Sequence, residues 1–224
     1  MGGSGYKVSA SMACFAIICN IYLRSLSSPL PTPLMASSSR QYLRFFSIGG
    51  NQGQVLSFDG DLVTMIGRSR FVAIIYHESN PMMDGTQKLG YTLFDALTSL
   101  AVSKGSVSGI SKGASLSWAG FSDDSSLVVM DTDGVLSMLI CATSADNMAE
   151  PFTRSSWAWA PVLDTLGLHK SSDDCFWPVA VQEGKLVFVP LKGGNRGPSA
   201  TARPITATLN LRLPLARRDS TDEM

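Results

Sequence analysis

The stretch GFSDDSSLVVMDTDGVLSMLI, from Gly120 to Ile140, decides the fold. A Phe-Ser-x-Asp turn precedes an apolar run, an Asp-Gly corner follows that run, and a second apolar run completes the pattern. Serine and aspartate side chains reverse a chain by bonding to nearby backbone groups, and Asp-Gly favours a tight hairpin. The stretch therefore predicts two antiparallel strands with the rhythm of the inner hairpin of a propeller blade.

Short apolar runs separated by turn residues continue on both sides of this hairpin. FVAIIYH and KLGYTLFDAL lie upstream, and KLVFVPLKGG and ITATLNLRLPL lie downstream. No window carries a sustained helical period, and neither a Trp-Asp nor a Gly-His signature is present. We therefore predict an all-β fold, a partial WD-like β-propeller of about three or more degenerate blades, over residues 41–216. Residues 217–224 form a polar tail.

Residues 1–40 have a different character from the rest of the chain. The apolar run ASMACFAIICNIYL, from Ala10 to Leu23, is too short to span a bilayer, and LPTPL follows it. Composition leaves two interpretations open. The run is either the apolar region of a secretory signal, or part of a disordered or loosely helical leader that belongs to a mis-annotated or truncated gene model. The first interpretation, a secretory signal, would make the chain a secreted or membrane-targeted β-protein.

Charge and cysteine content narrow the class of function. The chain has eighteen basic and eighteen acidic residues, and this balance argues against a dedicated nucleic-acid-binding domain. The four cysteines lack the spacing of a zinc site, and we interpret them as reduced structural residues; they are Cys14, Cys19, Cys141 and Cys175. Strand position predicts five largely buried aromatic residues: Phe94, Trp118, Phe121, Trp177 and Phe188.

Ser111 is the strongest candidate for catalytic chemistry by motif. Gly109–Gly113 matches G-x-S-x-G, a motif that exposes its serine on a sharp turn between a strand and a helix. The residues on either side of this match predict a loop and another strand instead. The two histidines, His77 and His169, have no partner carboxylate that the sequence identifies.

The remaining polar residues are typical of turns and loops. GGNQGQ lacks the lysine of a phosphate-binding loop and the third glycine of a dinucleotide fingerprint. Three aspartates fit turn capping or solvated loops better than metal binding: Asp84, Asp173 and Asp174. We therefore predict no catalytic residue, no cofactor and no metal, and thus no enzyme.

Several stretches together resemble a known family. They include YHESNPMMDGTQKLGYTLFD, LSWAGFSDDSSLVVMDTDGVLSML and VPLKGGNRGPSATARPITATLNLRLPL, in this order and over about four fifths of the chain. The family is that of the minichromosome loss and chromosome transmission fidelity replisome adaptors, also known as acidic nucleoplasmic DNA-binding protein. Met82 and Met83 depart from the family, which usually has an aromatic residue there. The residues before Gln41 resemble nothing in it.

The resemblance implies a non-catalytic scaffold in the nucleus. Full-length members carry a WD40 propeller, a second propeller that trimerises, and a helical domain that binds short peptides. Their partners are the replicative helicase assembly, through its GINS component, and DNA polymerase alpha. The resemblance places residues 41–216 in the later blades of the second propeller, and the balanced charge favours indirect contact with DNA or chromatin.

Overall fold

The computed structural model describes residues 6–10, 14–20, 41–47, 51–58, 60–80, 82–142, 156–168, 171, 173–199 and 203–212. Within these residues the chain forms fifteen β-strands and one short 3-10 helix, Leu166–Leu168. The strands make four antiparallel sheets. No helix among the described residues has the length and apolar character that crossing a membrane requires. The chain divides into two compact units: residues 1–82 with 88–106, and residues 83–87 with 107–224.

The first unit contains two sheets of four strands, each with its strands in sequence order. The first sheet consists of β1 (Tyr6–Ala10), β2 (Cys14–Asn20), β3 (Gln41–Ser47) and β4 (Gln52–Phe58). The second sheet consists of β5 (Asp61–Arg68), β6 (Phe71–His77), β7 (Leu89–Asp95) and β8 (Leu100–Ser106). Adjacent strands are antiparallel and joined along the chain, so each sheet is a meander.

The second unit contains the third and fourth sheets. The third sheet consists of β9 (Leu116–Phe121), β10 (Leu127–Asp131), β11 (Val135–Ala142) and β12 (Ser156–Asp164). The fourth sheet has three described strands: β13 (Cys175–Gln182), β14 (Lys185–Leu191) and β15 (Ala207–Asn210). The predicted hairpin is confirmed, because β10 pairs with β11 across the Asp-Gly corner with Val129 opposite Ser137.

The core of the first unit lies between its two sheets. Leu43 and Phe45 of β3 are buried in one cluster with Val72 and Ile74 of β6. The ring of Phe45 meets the ring of Phe94 edge to face, with centroids 5.9 Å apart, an arrangement that aromatic pairs prefer. Alternate residues of a strand point to opposite faces, so each sheet covers an apolar face of the other.

The core of the second unit is built in the same way. Val128 and Leu136 of the β10–β11 hairpin are buried with Leu186 and Phe188 of β14. The rings of Phe176 and Phe188 have centroids 4.4 Å apart. The third and fourth sheets therefore share one apolar layer.

The predicted fold class is confirmed. The described residues are almost entirely strands and turns, and the antiparallel sheets have three or four strands. This strand number agrees with a partial WD-like β-propeller, whose blades are four-stranded sheets.

The prediction of a disordered or loosely helical leader is wrong for β1 and β2. These strands pair with each other, and β2 pairs along its length with β3, with Ile18 opposite Leu43. The isoleucine-rich run of β2 is typical of a strand. Its partner follows only after residues 21–40, which lie outside the described residues, and a pairing over such a separation leaves no local signal in the sequence. The first sheet thus includes strands on both sides of residue 41.

The prediction for the aromatic residues is confirmed for Phe94, Phe121 and Phe188, which are buried. Trp118 is half-buried and packs at the border of the core of the second unit. Trp177 is 42% exposed, so its predicted burial is wrong. Phe176 beside it packs toward the core, and the alternation of a strand places the next side chain on the opposite face.

Phe188 and Trp177 provide a matched test of this assignment. Phe188→Ala should lower the free energy of unfolding by roughly 3–5 kcal/mol, because it removes a buried ring and leaves a cavity. Trp177→Ala, on the neighbouring strand, should cost less than about 1 kcal/mol. Denaturant unfolding followed by circular dichroism measures both values. Equal losses would contradict the assigned faces of the fourth sheet.

Candidate functional site

The polar loop between β6 and β7 closes that hairpin. The Glu78 carboxylate oxygens accept hydrogen bonds from the Ser106 hydroxyl at 2.9 and 3.0 Å. The backbone N–H of Glu78 donates to the carbonyl of Lys88 at 2.9 Å. These contacts extend the pairing of the strands past their ends.

Residues 83–87 of the same loop make their polar contacts within the second unit. The Asp84 carboxylate accepts the N–H of Thr86 at 3.0 Å, and this bond is the largest cause that lowers the pKa of Asp84. The Thr86 hydroxyl accepts the N–H of Gly113 at 3.2 Å, and the Gln87 side-chain oxygen accepts the N–H of Leu116 at 3.0 Å. Asp84 therefore caps a turn, as the sequence predicted.

His77 is the last residue of β6. Its Nδ1 atom is buried and makes no hydrogen bond in the described part of the chain. No hydrogen bond between described residues joins this imidazole to a carboxylate, the arrangement that orients a histidine base. His169, the second candidate base, lies outside the described residues.

Ser111 lies in the loop between β8 and β9. Its backbone N–H donates to Asp131 Oδ2 at 2.9 Å, and its carbonyl accepts the N–H of Ala114 at 3.1 Å. The next element is strand β9, so the strand-to-helix turn of a nucleophile elbow is not formed here. The described contacts of Ser111 use its backbone.

Asp131 organises the turn after β10. Its side chain is almost fully buried, with 1% exposure. One carboxylate oxygen accepts the N–H of Val135 at 2.9 Å, and the other accepts the N–H of Ser111. The Ser117 hydroxyl donates to the carbonyl of Asp131 at 2.9 Å. One carboxylate thus fastens a hairpin turn and a neighbouring loop to each other.

Gly134 completes this turn. Its φ of +85° lies in the left-handed region, which favours glycine. A Cβ atom there would lie 2.3 Å from the hydroxyl oxygen of Thr165. That hydroxyl donates to the Gly134 carbonyl at 2.9 Å. Thr165 can therefore bind the turn only because residue 134 has no side chain.

The turn between β9 and β10 links the third and fourth sheets. Ser122 Oγ donates to Asp124 Oδ1 and accepts the N–H of Ser126 at 3.1 Å, which closes the turn. Asp123 Oδ2 accepts the N–H of Glu183 at 2.8 Å. Glu183 lies in the β13–β14 turn, so this carboxylate connects hairpins of two sheets.

Asp95 performs a similar role at the end of β7. Arg70, in the β5–β6 turn, forms an ion pair with it, and the N–H of Leu97 donates to Asp95 Oδ1 at 3.0 Å. The hydrogen bond from Arg70 is the largest cause that lowers the pKa of Asp95, while burial acts in the opposite direction.

The other candidates are placed as follows. Asp173 is exposed and Asp174 half-buried, and the N–H groups of both donate to oxygens of Ser171. Cys141 and Cys175 are free and half-buried, whereas the side chains of Cys14 and Cys19 lie outside the described part. Among the described residues, no three His, Cys, Asp or Glu side chains are grouped as a metal site requires.

A cleft in the first unit was not predicted. It has a volume of about 640 Å³ and lies between β4 and the β7–β8 hairpin. Four apolar side chains form its floor: Leu56, Phe58, Tyr76 and Phe94. They come from three separate strands, and in the sequence each has the pattern of an ordinary core residue. No local feature of the sequence therefore predicts the cleft.

Asp131→Ala should destabilise the second unit by roughly 2–4 kcal/mol, because it leaves the N–H groups of Ser111 and Val135 without an acceptor. Asp133→Ala is the matched control, since Asp133 is exposed in the same turn and should cost less than about 0.5 kcal/mol. Denaturant unfolding measures both. A loss for Asp131→Ala no larger than that of the control would show that the buried carboxylate is not holding the turn.

The ion pair between Arg70 and Asp95 predicts that the stability of the fold depends on pH. Its folded-state pKa is lowered, so its contribution is present above the ordinary aspartate pKa of about 4 and is lost as pH falls through the folded-state value. Asp95→Asn should therefore lower the melting temperature at neutral pH, and the difference from the unmodified chain should shrink at acidic pH. Arg70→Gln should reproduce part of the loss. A difference that stays constant down to about pH 3 would contradict the ion pair's role.

Comparison with known proteins shows where the chain belongs. The family described as "Minichromosome loss protein, Mcl1, middle region" matches residues 21–215. The match begins before Gln41, so the expectation that no residue before Gln41 resembles the family is wrong for residues 21–40.

Curated relatives agree with this match. The chain is 30% identical over 184 residues to Protein ENHANCER OF LHP1 1 of Arabidopsis thaliana, and the match covers 82% of the chain and 18% of that relative. It is 31% identical over 182 residues to human WD repeat and HMG-box DNA-binding protein 1, and the match covers 80% of the chain and 15% of that relative. It is 28% identical over 195 residues to Minichromosome loss protein 1 of Schizosaccharomyces pombe, and the match covers 85% of the chain and 22% of that relative. The chain thus spans about a fifth or less of the length of these relatives, and by its match over residues 21–215 it belongs to the minichromosome loss protein Mcl1 family.

Proposed function

We propose that the chain is a non-catalytic scaffold module of a nuclear DNA-replication adaptor. The observation that carries this proposal is the family match over residues 21–215. The fold is in keeping with it, since antiparallel sheets of three or four strands agree with the blades of a WD-like propeller.

A non-catalytic role is supported by what the polar residues contact. Asp84, Asp95 and Asp131 accept backbone N–H groups at chain reversals. Ser111 bonds through its backbone, and the described contacts give His77 no orienting carboxylate. These carboxylates therefore have a structural use that requires no reaction.

The partners of the intact protein follow from the family resemblance. We propose that it joins the replicative helicase assembly, through GINS, to DNA polymerase alpha, and that the propeller supports a homotrimer. One relative carries DNA binding in its name, but equal numbers of acidic and basic residues in this chain favour contact with DNA through partners.

Replacement of the intact family protein in cells tests this proposal. Cells depleted of it would re-express either the complete protein or a version without the region equivalent to residues 41–216, and DNA-fibre labelling would measure replication. We expect the deletion to impair replication and chromosome transmission, because the scaffold loses a propeller.

Two point variants of the complete protein provide the catalytic control. Ser111→Ala and His77→Ala should support replication as well as the unmodified protein, provided that they fold. Loss of function in either folded variant would favour an enzyme. Exclusion of a C-terminally tagged chain from the nucleus, with entry into the secretory pathway, would favour a secreted or membrane-targeted protein instead.

A further inference from the structure

The first sheet has a second face, opposite to the one that forms the core. Leu43 and Phe45 of β3 are buried in the core of the first unit, so the alternation of a strand places Arg44 on the other side of the sheet. Val55 of β4 pairs with Arg44 and is 42% exposed. We call this side the outer face, and its described members are Tyr42, Arg44, Phe46 and Val55.

Arg44 is a half-buried cation on the outer face that lacks a partner. Its Nε atom is buried and makes no hydrogen bond, and no ion pair between described residues includes it. A buried donor without an acceptor costs free energy, and the cost is larger when the group is charged. The acceptor that suits a guanidinium group best is a carboxylate, which can take two parallel hydrogen bonds from it.

The first sheet has no carboxylate to offer. Residues 1–58 contain no Asp or Glu, and they contain four basic residues: Lys7, Arg24, Arg40 and Arg44. This range includes all four strands of the sheet and residues 21–40 between β2 and β3. The acceptor for Arg44 therefore has to come from another part of a protein, and charge complementarity selects an acidic one.

The fold favours a further sheet as the source of this carboxylate. The opposite face of the first sheet is already covered by the second sheet, and a blade inside a propeller has a neighbouring blade on each of its two faces. Tyr42 and Phe46 are half-buried on either side of Arg44, which gives the outer face an apolar surface as well. The curated relatives are several times longer than this chain, so a complete member has the residues to form another blade.

We propose that the outer face of the first sheet packs against a further blade of the complete family protein, and that this blade brings an Asp or Glu carboxylate to Arg44. Tyr42, Phe46 and Val55 supply the apolar part of the contact, and the single charge of Arg44 fixes how the two sheets align. The inference rests on the fold and on family membership, and it does not depend on the proposed role in replication.

Photo-crosslinking within a complete family protein tests the proposal. Benzoylphenylalanine replaces Val55 on the outer face or, as the matched control, Val102 on β8, since both valines are 42% exposed. Position 55 should crosslink within the same molecule to a segment beyond the region equivalent to residues 1–224, with an acidic residue beside the crosslink. Position 102 should not reach that segment. Mass spectrometry of mixed light and heavy protein identifies the segment, and a crosslink from position 55 only to a second copy or to another protein would overturn the proposal.

The yield of the same crosslink tests the charge of Arg44. Arg44→Glu should lower this yield at least about tenfold, because two carboxylates repel each other, and replacing the acidic residue of the crosslinked segment by Arg should restore it. Lys104→Glu, at an exposed position of β8, is the control and should leave the yield unchanged. Circular dichroism establishes folding, and Arg44→Gln, which should also lower the yield, decides the matter if Arg44→Glu does not fold. A yield indifferent to the charge at position 44 would overturn the proposal.

The 224-residue chain by itself provides an independent result. Since Arg44 Nε has no acceptor here, Arg44→Met should raise the melting temperature of this chain by removing an unpaired buried charge. Arg196→Met, at an exposed position of the β14–β15 loop, should leave the melting temperature unchanged. A lower melting temperature for Arg44→Met than for the unmodified chain would show that Arg44 is already paired, and would contradict the proposal.

Discussion

Chain reversal is the constraint on which the described structure depends, because short strands joined in meanders need a turn every few residues. The recurring solution is an acidic side chain that accepts the N–H group two residues further on. Asp84 does so for Thr86, Asp95 for Leu97 and Asp164 for Leu166. This local bond competes with the continuation of a strand and fixes the turn. Asp84, Asp95 and Asp164 thus each stabilise a chain reversal through a local hydrogen bond to the backbone.

The second requirement is that each sheet covers an apolar face. A lone hairpin or small sheet is marginally stable in water, and packing against a second sheet supplies the missing burial. The first unit meets this requirement with Leu43 and Phe45 against Val72 and Ile74. The second unit does so with Leu136 against Phe188. Turns that reach beyond their own hairpin, such as Asp123 to Glu183, then fix how the third and fourth sheets meet.

Sequence reasoning predicts the local features well. The β10–β11 hairpin, the turn at Asp84 and the all-β class are indicated by alternation and by Asp-Gly chemistry, which act over a few residues. Sequence reasoning fails where the residues that pair or pack together are far apart in the chain. The β2–β3 pairing joins residues on either side of 21–40, and the exposure of Trp177 depends on which face of β13 the third sheet covers. The cleft floor, from Leu56 to Phe94, is likewise assembled only in three dimensions.

Hydrogen exchange at the Ser111 amide tests most directly the central claim that these carboxylates hold the backbone. Ser111 lies in a loop, yet its N–H donates to a buried acceptor on Asp131. The neighbouring Lys112 is exposed, and its N–H has no acceptor in the described part of the chain. The account predicts that Ser111 exchanges far more slowly than Lys112 and similarly to Val135, the other amide bound by Asp131. Exchange of Ser111 at the rate of Lys112 would contradict it.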